Sequence, residues 1–112
     1  MIKAIKYSII SILLLTVGIA NAAIVSTNGK ITSALSYAEY GTGDVVFQLN
    51  TTLAGCENGF WLRPTDAGFK TNISFLLAAQ LSGRNVYLQA HNDLIWNGSA
   101  AKTCKLYVIQ IV

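Results

Sequence analysis

From residue 23 onward the apolar positions recur with two different periods. Along "KITSALSYA" (30–38), Ile31, Leu35 and Tyr37 fall at even spacings, which predicts a half-buried strand. "EYGTGD" (39–44) carries two glycines and an aspartate, the chemistry of a turn. "VVFQLN" (45–50) then sets Val45, Phe47 and Leu49 against Val46, Gln48 and Asn50, so the two runs read as a hairpin. "GFWLR" (59–63) predicts a short third strand, with Phe60 and Leu62 on one face and Trp61 and Arg63 on the other. Pro64 has no N–H to give a ladder and marks that strand's end or an exposed edge. In "TNISFLLAAQLSG" (71–83) the period changes. Ile73, Leu76, Leu77 and Leu81 fall on one helical stripe, Thr71 or Asn72 stands ready to cap it, and Gly83 to stop it. Alternation returns in "NVYLQAH" (85–91), with Val86, Leu88 and Ala90 opposite Tyr87 and Gln89. After a polar loop, "KLYVIQIV" (105–112) predicts a final strand.

The expected order is three strands, one helix, two strands. A five-stranded antiparallel curled sheet covered by the helix fits it, and so does an oligomer-binding (OB) barrel, which carries its helix between strands 3 and 4. A flat α+β sandwich is the runner-up. Residues 23–112 are expected to form one small β-rich domain.

The first 22 residues have a different character. Lys3 and Lys6 precede an apolar run from Ile9 to Ala20, followed by "ANAA" with Ala20 and Ala22 at small-residue positions. This pattern predicts a cleaved signal peptide, 1–22, and an exported protein, periplasmic or secreted. The run is shorter than the roughly 20 apolar residues a membrane span needs, so stable membrane insertion is not expected. Without the signal, Lys30, Arg63, Lys70, Arg84, Lys102 and Lys105 stand against Glu39, Asp44, Glu57, Asp66 and Asp93, a net of +1 rather than the +3 of the whole chain. No basic cluster remains to meet a phosphate backbone, which argues against a nucleic-acid partner.

About 90 residues bury a small core, and such domains commonly need a staple. Cys56 and Cys104 are the only cysteines, and export favours their joining as a disulfide. A catalytic or metal-binding thiol pair is the rival reading. With His91 as the single histidine the metal set is poor, so no metal and no cofactor are expected.

Candidate chemistry is sparse. His91 with Asp93 two residues on resembles a general-base pair, but no nucleophile announces itself and a histidine in a loop after a strand serves as well. No enzyme is predicted. Trp61 and Trp96 lie amid Arg63, Asn92, Asp93 and other polar residues. Rings beside amide, carboxylate and guanidinium groups make a ligand-binding set suited to sugars. Trp61 beside Phe60 also reads as a core or subunit contact, whereas Trp96 in its polar loop is expected to be exposed.

The segments "GKITSALSYAEYGTGDVVFQL", "CENGFWLRPTDAG", "SFLLAAQLSGRNVYL" and "WNGS" together resemble a group of small exported bacterial proteins of unassigned function. The element order is similar to that of the B subunits of AB toxins, the subtilase-cytotoxin type especially. That likeness is one of plan and carries over no residue. It implies an OB-type barrel, a homo-oligomeric ring (a pentamer), a separate catalytic A chain, and a host glycan or protein receptor as ligand. A secreted or periplasmic protein acting by protein–protein contact, such as an inhibitor, is the alternative.

Overall fold

The computed structural model describes residues 23–112, and the expected signal peptide lies outside them. β1 (Ile24–Ser36) is the longest strand and organises the rest. Its second half pairs antiparallel with β2 (Val45–Leu49), and its first half with β4 (Asn85–Ile95). β3 (Phe60–Leu62) continues from β2, and β5 (Cys104–Ile111) lies between β3 and β4. The strand order β1-β2-β3-β5-β4 closes into a ring. With α1 (Phe69–Ser82) between β3 and β4, this is the plan of an OB barrel. The sheet is mixed rather than wholly antiparallel. β3 and β5 run parallel, joined by the pairs Phe60–Cys104 and Trp61–Lys105.

Alternation along the strands fills the interior. Val45, Phe47 and Leu49, Phe60 and Leu62, and Val86, Leu88 and Ala90 all face inward as expected, with Ile31, Leu106 and Ile109. Leu35 departs from its expectation and is 49% exposed. A bulge between Ile31 and Ser33 supplies the reason: one extra residue flips the face, so that Ala34 stands opposite Phe47 and Leu35 opposite Val46. Tyr37 falls beyond the strand and packs outside the barrel.

The helix begins two residues before the expected stretch, at Phe69. Its N-cap is Gly68, without a side-chain cap, in place of Thr71 or Asn72. Gly83 ends it in the left-handed conformation, as its position predicts. Leu76 and Ala79 are buried and Phe69 and Ile73 half-buried, while Leu77 is 49% and Leu81 87% exposed. The helix therefore buries a narrow stripe, and the expected stripe was about 100° too wide on one flank. β4 also runs four residues further than expected, placing Asn92 and Asp93 on a strand instead of in a loop.

Cys56 and Cys104 form a disulfide, which settles the choice against a free thiol pair. Such a bond belongs to a non-reducing environment. Among the described residues, no helix is long and apolar enough to cross a membrane.

Candidate binding cleft between the β1–β2 and β4–β5 loops

A second, smaller apolar cluster sits outside the barrel. Val46 and Trp61 reach it because the alternation that sends Phe47, Phe60 and Leu62 inward sends them outward. Trp96 joins them from the loop after β4, with Tyr37 against it. Contrary to the expectation of exposure, Trp96 is only 4% exposed. Its indole N–H donates to Asp44 Oδ2 at 2.9 Å, and the rings of Tyr37 and Tyr40 lie at 5.4 and 5.3 Å. The Tyr40 hydroxyl donates to Asn97 Oδ1 at 3.1 Å. Gly98 lets the ring lie flat, since a Cβ there would collide with it. The polar neighbours of Trp96 in sequence suggested water. Its carboxylate partner stands 52 residues away, where no local pattern reveals it.

Trp61 is likewise buried. Its indole N–H donates to the Leu94 carbonyl at 3.0 Å. Lys105 Nζ lies 4.5 Å and the Arg63 guanidinium 5.5 Å from the ring centre. Both placements are favourable for a cation against a π-system. Lys105 is neutralised by Asp66 at 2.8 Å, and Asp66 also accepts the Arg63 backbone N–H at 2.9 Å. The Arg63 side chain remains half exposed, with only a loose 3.7 Å approach of its Nε to Asp66. Neither indole therefore offers an open face for stacking.

Between these groups lies a cleft of about 260 Å³. Gly41, Thr42 and Asp44 form one wall, Trp61 and Arg63 the floor, and Ile95, Trp96 and Asn97 the other wall. Three expected site residues, Trp61, Arg63 and Trp96, thus meet in one place. Asn92 and Asp93 do not line it. Asn92 is half-buried, with its backbone N–H donating to Ala23 O at 2.7 Å, and Asp93 is exposed. The His91 ring packs against Tyr107, 4.9 Å between centres. Sequence reasoning missed Asp44, Tyr40 and Lys105. Asp44 and Tyr40 had a usable signal, because both belong to the loop joining strands 1 and 2, which lines the ligand face of OB barrels.

Chemically, the cleft offers a hydroxyl, a carboxamide and a guanidinium between ring edges. The Asp44 carboxylate is already engaged by Trp96. Elsewhere, Glu57 is held below the usual glutamate range chiefly by the Gly55 N–H that its carboxylate accepts. Among the described residues, no group of His, Cys, Asp and Glu is placed to hold a metal ion.

Asp44→Ala leaves the buried Trp96 N–H without an acceptor. The expected loss is about 2 kcal/mol in urea unfolding, with a red-shifted tryptophan emission, while Asp44→Asn recovers most of both. Equal losses for the two variants would mean that hydrogen bonding to Trp96 is not what Asp44 supplies.

Searches against protein-family models, curated proteins and solved structures return no match for this chain.

Proposed function

We propose that this is an exported, non-enzymatic binding module that recognises a glycan on a host receptor through the cleft between the β1–β2 and β4–β5 loops. One observation carries the reading. The Asp44–Trp96 bond clasps the two loops that OB barrels use for oligosaccharides, and the cleft between them displays a half-exposed arginine, a threonine and an asparagine. Pre-organised polar groups beside ring edges suit a hydroxyl-rich ligand. The expected ring of five copies with a separate catalytic chain belongs to the same proposal, and molecular mass in solution tests it.

A glycan array probed with the mature chain is expected to give a restricted set of positives. Arg63→Ala is expected to weaken them at least tenfold while leaving stability within about 0.5 kcal/mol, the usual range for an exposed side chain. An array with no positives would remove the glycan reading.

A second reading has its own support. Leu77 and Leu81 are exposed on the helix, and a groove of about 410 Å³ runs between that helix and the ends of β1 and β2. Exposed apolar side chains beside a groove favour a protein partner, the alternative of an inhibitor or envelope component. A specific protein captured by the mature chain, with a silent array, would favour it.

A further inference from the structure

The outer face of the barrel continues beyond the cleft. His91 on β4 stands opposite Lys105 on β5, which stands opposite Trp61 on β3, so one cross-strand row leads from the cleft floor to His91. Two strand spacings, roughly 10 Å, separate the ends of that row. At its far end the β4–β5 ladder has a bulge, and Tyr107 is the extra residue. Bulges re-aim side chains, and here Tyr107 lies over the His91 ring while keeping 52% exposure. Gln89 and Tyr87 flank it on the same face, the Gln89 amide donating to the Tyr87 hydroxyl at 3.0 Å. That bond turns the Gln89 Oε1 free, and among the described residues neither it nor the Tyr107 hydroxyl has a hydrogen-bond partner. Ser26 and Asn28 complete the patch from β1, opposite Gln89 and Tyr87. The charge on the row, Lys105, is compensated by Asp66.

We infer that Tyr107 and His91 form an outlying saccharide subsite, on the same outer face as the cleft, that stacks a sugar ring against Tyr107. This rests on the glycan reading and deepens it: the ligand is an oligosaccharide long enough to cross Lys105, not a single sugar. An exposed ring with amide and hydroxyl groups beside it matches the apolar face and the hydroxyls of such a unit. The cross-strand row supplies the spacing, since a ligand held at Arg63 has Tyr107 about two strand spacings away, beyond the buried Lys105.

The test uses the mature chain with its disulfide intact. An oligosaccharide positive on the array and its component monosaccharides are titrated by calorimetry against the parent, Tyr107→Ala and Arg63→Ala. Tyr107→Ala is expected to weaken the oligosaccharide about three- to tenfold, the scale of one aromatic contact, and to leave the monosaccharide held in the cleft unchanged. His91→Ala should act in the same direction. If Tyr107→Ala leaves the oligosaccharide unaffected while Arg63→Ala weakens it, the subsite is overturned and the cleft stands. If no glycan binds the parent, both fall. Backbone amide shifts at Gln89 and Tyr107 that depend on protein concentration without sugar would assign this face to self-association and also overturn the subsite.

Discussion

Replacing Cys56 and Cys104 together by alanine is expected to lower the stability of residues 23–112 by about 4 kcal/mol, the chain-entropy estimate for a loop this long. The bridged residues are 48 apart in sequence. In a domain of this size the loss corresponds to roughly 15–30 °C in Tm. The position of the bond is as important as its loop length. The parallel seam between β3 and β5 rests on two residue pairs, whereas β4 and β5 share seven. Cys104 is itself one of the two residues that β5 gives to the seam, and Cys56 lies in the turn that delivers β3 to it. The bridge therefore fastens the ring where hydrogen bonding is thinnest. Differential scanning of the oxidised parent, the reduced parent and the double variant checks this. The reduced parent should resemble the variant, and an unchanged Tm in both would show that the ring closes without the bond.

Gly59→Ala is expected to cost about 3 kcal/mol, the upper end for backbone held in a disfavoured region. Gly59 has φ of 98° at the entry to β3. Its N–H donates to the Cys56 carbonyl at 3.0 Å, and its own carbonyl accepts the Cys104 N–H at 3.0 Å. A Cβ there would collide with the Phe47 carbonyl oxygen, which belongs to the neighbouring strand and is not free to move away. Gly55 provides the control. Its φ of 84° is equally left-handed, but a Cβ there meets nothing within 4 Å. Gly55→Ala should therefore cost only about 1–2 kcal/mol, the conformational penalty alone. Urea unfolding of the two variants separates the collision from the backbone preference, and equal losses would show that β2 yields to the added methyl.

Both effects concern joints between strands distant in sequence, and this marks where sequence reading succeeded and failed. The element order, the inward faces of β2, β3 and β4, and the glycine stop of the helix were all legible. Each depends on a period of two or 3.6 residues, or on one backbone conformation, and these are local. Leu35 was misassigned because a single extra residue in β1 reverses the face, and nothing nearby announces it. Leu77 and Leu81 were misassigned because a leucine has the same helical propensity on a covered flank as on an open one. Trp96 was misread for a related reason. Its surroundings in sequence are polar, yet its surroundings in space are Asp44, Tyr37 and Tyr40, brought to it by ring closure.

By itself the sequence determined a β-rich domain with one helix between its third and fourth strands, and two cysteines suited to pairing. Hydrophobic period and residue type act over a few positions and survive without knowledge of the whole chain. The tertiary structure decided that β3 runs parallel to β5, that both indoles turn away from water, and that the loops after β1 and β4 are tied into a cleft. Those outcomes depend on which strands become neighbours. Closing the ring fixes that choice by bringing together groups some 50 residues apart, whose bonds are made only once the barrel exists.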